Sequence, residues 1–208
     1  MKCGFIGLGV LGSKMAAKIL DAGHALRVYD RDTKAVDKLV AAGAINARSV
    51  QEATSNIDAL ITCLPSPAAC EEVMTGDGGA LSSLAPGNCW IEMSTTDVDE
   101  MKRLALLAGE KSIDVLECPA TGGVHRAAKG QMTLLVGGDE TLLHQYRPLL
   151  EIMSGQIVYM GEIGNASLIK AVTNLLCLVD LVAMGEALML AKRGGLDLAR
   201  CYEAITAS

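Results

Sequence analysis

The sequence predicts an α/β fold: a mostly parallel, doubly wound sheet with helices on both faces, followed by the start of an all-helical domain. Three observations support this. The chain opens with an apolar run, a glycine-rich turn and an amphipathic helix. Apolar strands and helices then alternate, which is typical of a parallel sheet covered on both faces. Strand patterns stop near Gly161, and helical patterns fill the rest of the chain.

The first unit, residues 2–30, reads KCGFIGLGVLGSKMAAKILDAGHALRVYD. Its strand leads into a GxGxxG turn made of Gly7, Leu8, Gly9, Val10, Leu11 and Gly12. In such a turn the first glycine permits the bend, the second lets the backbone approach a pyrophosphate, and the third lets helix and strand pack closely. The free N–H groups at the helix start then point at the phosphate oxygens. The turn therefore predicts dinucleotide binding, and the alternative is a tight turn that binds nothing.

The second strand ends on Asp30, 18 residues after Gly12. A carboxylate at this place accepts hydrogen bonds from a ribose diol and repels a 2′-phosphate, which favours NAD. Arg31 follows directly, and its guanidinium is able to grip that phosphate, so NADP stays possible. Our interpretation is that Arg31 lies along the adenine face of a bound NAD.

The later elements follow in alternating order. Helices are predicted at 33–42, 50–55, 68–74, 97–108 and 140–150, and strands at 59–64, 89–93, 114–118, 132–136 and 157–159. We place a domain boundary at about residue 162, which gives a dinucleotide-binding domain at 1–162 and the first part of a helical domain at 163–208.

The helical part is short. A long helix at 165–193 ends at Gly194 and Gly195, and a further helix follows Asp197. Two helices are too few for a core of their own, because domains below about 50 residues rarely stand alone. We therefore expect that the chain is cut short or borrows helices from a second subunit. Lys170, Asp180 and Glu186 favour a packed bundle helix over a membrane span.

Composition excludes several classes of protein. Half of the 208 residues are hydrophobic and the net charge is −6, with no basic cluster, which argues against nucleic-acid binding. The seven cysteines are scattered and never in CxxC spacing, which predicts reduced thiols, a cytoplasmic location and no metal site. The chain enters its first strand at once, so we expect no signal peptide.

Three polar or glycine-rich stretches follow predicted strands, where a doubly wound sheet binds ligands. They contain Leu64 and Pro65, then Ser94, Thr95 and Thr96, then Thr121, Gly122 and Gly123. The third offers a hydroxyl and consecutive N–H groups, which suit a carboxylate. Structural interpretations stay open for each: Pro65 as a strand stop, Ser94 or Thr96 as a helix N-cap, and the glycine pair as a turn.

Lys170 and Asn174 lie four residues apart on one face of the long helix. A lysine in an apolar helix has two interpretations. It extends to solvent along its aliphatic stem, or it is partly desolvated in a cleft, where a lowered pKa lets it exchange protons. Asn174 beside it offers a neutral donor and acceptor to a substrate.

With these motifs in place, the sequence resembles the β-hydroxyacid dehydrogenase family. GFIGLGVLG is similar to the family's cofactor motif, and CLP and STT are similar to its nicotinamide-side contacts, which implies roles for Leu64, Pro65 and Thr95. ECPATGGV resembles the substrate motif usually written D-A-P-V-S-G-G. This implies that Thr121, Gly122 and Gly123 bind a substrate carboxylate, although the extra methyl of Thr121 narrows the pocket.

The stretch GEIGNASLIKAVTN resembles the family's catalytic motif G-x-x-G-x-x-x-x-x-K-x-x-x-N. The resemblance implies Lys170 as the acid/base and Asn174 as a substrate ligand. It also implies an oxidoreductase that transfers a hydride between NAD, or NADP, and a small β-hydroxy acid. We expect a homo-oligomer for a separate reason: the long helix is apolar on most sides and needs cover that two helices do not provide. The alternatives are a non-catalytic dinucleotide-binding sensor or interaction module, which has no use for Lys170 with Asn174, and a methyltransferase with a similar glycine-rich turn.

Overall fold

The computed structural model describes residues 1–207, and its longer strands and helices follow the alternation that the sequence predicts. The strands are β1 (Lys2–Ile6), β2 (Ala25–Tyr29), β3 (Ile45–Asn46), β4 (Ala59–Thr62), β5 (Cys89–Glu92), β6 (Asp114–Glu117), β7 (Ala120–Thr121), β8 (Met132–Gly138) and β9 (Ser154–Gly161). The helices are α1 (Gly12–Asp21), α2 (Thr33–Ala41), α3 (Val50–Ala53), α4 (Pro67–Thr75), α5 (Val98–Gly109), α6 (Gly123–Ala128), α7 (Glu140–Met153), α8 (Asn165–Arg193) and α9 (Leu198–Thr206).

The sheet order is β3-β2-β1-β4-β5-β6-β8-β7, and β9 also pairs with β8. β1 to β6 are parallel, and their register aligns Tyr29, Ile6, Thr62, Glu92 and Glu117 across five strands. Each of these residues is the last of its strand. The loops that follow therefore leave from one edge of the sheet, which confirms the predicted mostly parallel fold and sets out a common ligand edge.

Strand side chains alternate between two apolar clusters, as the pleat of a strand requires. Phe5, Ile61 and Ile91 belong to one cluster, whereas Leu60 and Trp90 belong to the other. All five are fully buried. The sheet is therefore covered on both faces, which explains why its strands read as continuous apolar runs.

Helix starts show which of the open interpretations holds. Ser49 accepts a hydrogen bond from the Glu52 N–H at 3.1 Å and is the N-cap of α3. For α5 the N-cap is Asp97, which accepts from the N–H groups of Asp99 and Glu100. The interpretation of Ser94 or Thr96 as the N-cap of that helix is therefore wrong.

Four short elements lie outside the sequence prediction: β3, β7, α6 and a 3₁₀ helix at Ala80–Ser82. β3 and β7 have two residues each, and they exist as strands through pairing with β2 and β8. α6 begins at the glycine pair, where Gly122 has φ +122° and Gly123 has φ +76°. β8 runs antiparallel to β6 and β7. This direction depends on the partner strands and is not visible in the local sequence pattern.

The chain divides into two compact units, residues 1–170 and 171–208. The second unit contains most of α8 and all of α9, and most of its apolar side chains are exposed. Ala166, Ser167 and Lys170 are the buried residues of α8 among those described, and the packed bundle helix stays a prediction for the rest of it. By length and composition α8 is able to cross a membrane, a property that core helices of other proteins share.

Candidate functional site

The turn after β1 needs glycine at two of its three positions. Gly7 has φ +96°, and a Cβ there would collide with the carbonyl oxygen of Cys63. A Cβ at Gly12 would collide with the carbonyl oxygen of Gly7, whereas a Cβ at Gly9 would meet nothing within 4 Å. Gly7 and Gly12 therefore serve the bend and the close helix packing, and Gly9 leaves open space in front of the turn.

The start of α1 offers unpaired backbone donors. The helix has no side-chain cap. Within residues 1–207, the N–H groups of Val10 and Leu11 donate to no protein acceptor. Unpaired N–H groups and the positive end of the helix dipole together favour an anion at this turn.

Asp30 holds the turn and the start of α2 together. Its Oδ2 accepts from the Leu8 N–H at 2.5 Å, and its Oδ1 accepts from the Asp32 N–H at 2.8 Å. Each carboxylate oxygen has a further lone pair, so the group is able to accept from a ribose diol as well.

Arg31 lies beside this carboxylate and forms an ion pair with Glu72 of α4 at 2.6 Å. The two side chains are 74% and 61% exposed, and exposed pairs of this kind contribute little to stability because water screens them. Arg31 is therefore directed toward α4, and a more strongly binding anion is able to displace Glu72 from it.

One cavity of about 510 Å³ collects these groups in the first unit. Ten of the eleven residues predicted to bind a dinucleotide line it: Gly7, Gly9, Val10, Leu11, Gly12, Asp30, Arg31, Leu64, Pro65 and Thr95. Leu8 is the other, and it is buried in the core while its N–H donates to Asp30. Four separate stretches of sequence thus meet at one edge of the sheet: the glycine turn, Asp30 with Arg31, Leu64 with Pro65, and Thr95.

A buried carboxyl group, Glu92, organises the far side of this cavity. It accepts from the Thr62 hydroxyl and the Ser94 N–H, both at 2.5 Å, and from the Cys70 thiol at 3.0 Å. The Ser94 hydroxyl in turn accepts from the Leu64 N–H at 2.7 Å. Burial raises the pKa of Glu92 above its ordinary value, although these hydrogen bonds act in the opposite direction.

The predicted substrate stretch follows β6 and runs along the same edge. Thr121 ends β7, and Ala120 before it lines the cavity. A Cβ at Gly122 would lie 2.9 Å from Cδ of Arg126, so the stem of that side chain crosses the glycine. The backbone of Gly122 is therefore bordered by the aliphatic stem of Arg126, whereas a Cβ at Gly123 would meet nothing within 4 Å.

Lys170 is 9% exposed and lies on the buried face of α8 with Ala166 and Ser167. The start of this helix is attached to the sheet by Glu117, the last residue of β6. Asn174 is half-buried and belongs to the second unit, and its substrate role stays a prediction.

Among residues 1–207, no group of three or more His, Cys, Asp or Glu side chains has the arrangement of a metal site. All seven cysteines are free thiols. Burial raises the pKa of Cys63, which lines the cavity, to about 12, so this thiol stays neutral at physiological pH.

Comparison with known proteins places the chain in a family. The model of the NAD binding domain of 6-phosphogluconate dehydrogenase matches residues 2–161. The model of the NAD-binding region of NADP-dependent 3-hydroxyisobutyrate dehydrogenase matches residues 164–208. The chain is 32% identical over 205 residues to 2-hydroxy-3-oxopropionate reductase of Escherichia coli, and the match covers 99% of this chain and 70% of the reductase. The chain belongs to the β-hydroxyacid dehydrogenase family.

Two further relatives have named activities or ligands. The NAD-dependent L-serine dehydrogenase of Pseudomonas aeruginosa is 38% identical over 193 residues, which are 93% of this chain and 65% of that enzyme. The structure of Mycobacterium tuberculosis 3-hydroxyisobutyrate dehydrogenase with L-serine superposes with a TM-score of 0.91 at 32% identity, and covers all of this chain and 70% of the other. The chain thus spans about two thirds of the length of these β-hydroxyacid dehydrogenases.

The cavity fits the nicotinamide dinucleotide that this family binds. Unpaired N–H groups at Val10 and Leu11 suit a pyrophosphate, and the open space at Gly9 admits it. The Asp30 carboxylate suits a ribose, and the cavity walls between β-strand ends are mainly apolar, as flat aromatic rings require.

Sequence reasoning missed the apolar residues that complete this cavity. They are Ile6, Tyr29, Cys63, Ala69, Val73, Met93 and Ala120. Most lie at a strand end or in the first turns of α4, and their residue types are those of any core. Position at the carboxyl ends of strands is the signal that would have found several of them. Glu92 was also missed, because a single acid at the end of an apolar strand reads as a solvent-facing residue.

Proposed function

We propose that this protein is an oxidoreductase that transfers a hydride between a nicotinamide dinucleotide and a small β-hydroxy acid, with Lys170 as the acid/base. The observation that carries the proposal is the burial of Lys170 at 9% exposure, in the unit that also contains the dinucleotide cavity. Buried lysines are rare unless they are paired or functional, and a partly desolvated amine exchanges protons readily.

The residues that would hold the dinucleotide are those of the glycine turn, with Asp30 at the ribose and Leu64, Pro65 and Thr95 at the nicotinamide end. A bound nicotinamide supplies the hydride acceptor or donor of the reaction. The protein supplies orientation, through the Glu92 hydrogen bonds that tie the loops after β4 and β5 together.

We propose Thr121, Gly122, Gly123 and Asn174 as the substrate-binding groups. A hydroxyl, two adjacent glycine N–H groups and the nearby Arg126 suit a carboxylate. The names of the relatives support a small hydroxy acid, such as L-serine, 3-hydroxyisobutyrate or 2-hydroxy-3-oxopropionate. Lys170 takes the proton of the substrate hydroxyl in oxidation and returns it in reduction.

The decisive experiment replaces Lys170 with Met, which keeps an unbranched chain and removes the ammonium group. We expect kcat with a responsive hydroxy acid to fall by about 10²–10⁴-fold, the usual contribution of a positioned acid/base. Dinucleotide affinity should hold, because the glycine turn is a separate element. The matched control is Lys192→Met, an exposed lysine on the same helix. Turnover near wild type in Lys170→Met, with dinucleotide binding intact, would favour the non-catalytic sensor.

We also propose a preference for NAD over NADP, because the Asp30 carboxylate repels a 2′-phosphate and Arg31 is paired with Glu72. Asp30→Asn should raise kcat/KM with NADP relative to NAD by about tenfold, as expected when a repulsion of about 1.4 kcal/mol is removed. The control is Asp32→Asn, which alters the neighbouring carboxylate at the N-cap of α2. A wild-type kcat/KM at least as high with NADP as with NAD would contradict the proposal.

The remaining expectations concern the setting of the protein. We propose a homo-oligomer in the cytoplasm, with small carboxylates as its ligands and no nucleic-acid or membrane partner. The net charge of −6 supports the first exclusion. The seven free thiols support a reducing compartment. Lys170, Asp180 and Glu186 within α8 weigh against a membrane span.

A further inference from the structure

Glu117 is a fully buried carboxylate at the end of β6, and hydrogen-bond donors surround it. Its Oε1 accepts from the N–H groups of Gly164 at 2.6 Å and Ala166 at 2.9 Å. Its Oε2 accepts from the Ser167 N–H at 3.2 Å and the Ser167 hydroxyl at 2.6 Å. All four partners donate, so both oxygens must act as acceptors.

These donors are the start of α8. The first N–H groups of a helix have no partner within it, and here one carboxylate from a distant strand satisfies three backbone donors. A negative charge at a helix N-terminus is also favoured by the helix dipole. The first turn of α8 is therefore fixed to the last residue of a central strand.

Lys170 lies on the fixed face of that helix. Ser167 and Ala166 precede it by three and four residues, which places all three side chains on one helical face. They are also the buried residues of α8 among those described. The rotation and axial position of the first turn therefore determine where the Lys170 side chain leaves the helix.

Glu117 and the proposed substrate site belong to one short segment of the chain. Four residues after Glu117 the chain reaches Thr121, Gly122 and Gly123, and β8 supports both parts of this segment. Gly137 pairs with Glu117, and Thr133 pairs with Thr121. One rigid piece of sheet thus carries the carboxylate that holds the lysine helix and the backbone proposed to hold the substrate.

We infer that Glu117 is a positioning residue, which sets the distance between the Lys170 ammonium and the substrate hydroxyl by fixing the start of α8. The inference rests on the proposed function of Lys170. It also explains Gly137, where a Cβ would collide with Oε1 of Glu117 and displace the carboxylate.

The test uses three variants and one control in the full-length protein. Glu117→Gln keeps the shape of the side chain but turns an NH₂ group toward the donors of α8. Gly137→Ala places a methyl group on the neighbouring strand β8, where it pushes the Glu117 carboxylate out of position. Glu117→Asp keeps the charge and tests rescue. The control is Ile57→Ala, a core truncation before β4, at the end of the strands remote from the site. The turnover number is calculated per dinucleotide-binding site, so that unfolded protein does not lower the measured kcat.

We expect Glu117→Gln and Gly137→Ala to lower kcat by about 10- to 100-fold, the loss that follows a displacement of about 1 Å in a reacting group. Dinucleotide affinity should stay at the wild-type value. The solvent isotope effect on kcat should increase because proton transfer becomes slower. Amide hydrogen exchange at 164, 166 and 167 should accelerate. Glu117→Asp, which keeps the charge on a shorter stem, should retain more turnover than Glu117→Gln.

A purely structural role gives a different result: a lower melting temperature in all four variants, with kcat per binding site and the isotope effect unchanged. That result, with Lys170→Met inactive, would overturn the positioning role while leaving the acid/base in place. An active Lys170→Met would instead overturn the proposed function. The hydrogen-exchange result reports the attachment of α8 in either case.

Discussion

Single residues in the glycine turn have separable roles. A Cβ at Gly9 meets open space, and Gly9 lines the cavity, whereas a Cβ at Gly12 collides with the carbonyl oxygen of Gly7. Gly9 therefore allows a ligand to approach the backbone, and Gly12 allows the helix to pack closely on the turn. The sequence motif alone does not distinguish these two roles.

The prediction is that Gly9→Ala leaves the fold intact and weakens dinucleotide binding, because the added methyl group occupies space that a pyrophosphate needs. Gly12→Ala should lower the melting temperature as well, since the helix must move away from β1. The measurements are thermal unfolding without ligand and titration with NADH. The control is Gly109→Ala in α5, where a Cβ also meets nothing within 4 Å. Equal melting temperatures for Gly9→Ala and Gly12→Ala would contradict this assignment.

At the scale of elements, two buried carboxyl groups end neighbouring strands in register. Glu92 ends β5 and Glu117 ends β6, and each accepts hydrogen bonds from the segment that the strand positions. Glu92 connects the loops that line the cavity, and Glu117 holds the start of α8. The carboxyl edge of the sheet is thus organised by two acids. Glu92 belongs to no motif in the sequence, and Glu117 opens the ECPATGGV stretch, where no role was predicted for it.

Glu92 gives a pH dependence with a defined sign. Burial raises its pKa above the ordinary value of 4.5, so the folded state keeps a proton that the unfolded chain has lost. The free energy of unfolding therefore falls as pH rises from about 4.5 toward the raised pKa. Glu92→Gln does not titrate, so the stability of this variant relative to wild type should increase with pH over that window, measured by urea unfolding.

Glu100 is the control with the opposite sign. Its hydrogen bond with Arg103 lowers the pKa of Glu100, and its stabilising contribution is present above the ordinary pKa and lost as pH falls. Glu100→Gln should therefore lose stability relative to wild type as pH rises, and by a small amount because the group is near the surface. Parallel trends for the two variants would contradict the burial of Glu92 as the cause.

At the scale of the molecule, the sequence predicts the elements that short-range patterns specify. The first β-α-β unit and the alternation of strands and helices are in place, because local periodicity and turn chemistry determine them. β3, β7 and the antiparallel direction of β8 were not predictable, since each depends on a partner strand. The cavity residues were predicted where a motif marks them, and its apolar wall was missed because it consists of ordinary core residue types.

The second unit gives the last prediction, which concerns association. Leu178 and Leu181 of α8 are 61% and 68% exposed, within an apolar helix of 29 residues. Exposed apolar helix surfaces mark interfaces, because their removal from water contributes about 25 cal/mol for each Å² buried. We therefore expect light scattering of the purified chain to show dimers or larger species at micromolar concentration. Leu181→Glu should shift the distribution toward monomer, because burying an unpaired charge in an apolar interface is costly. The control is Leu106→Glu, at a leucine of the first unit that is 71% exposed, and it should leave the distribution unchanged. A stable monomer in the wild-type protein at these concentrations would contradict self-association through α8.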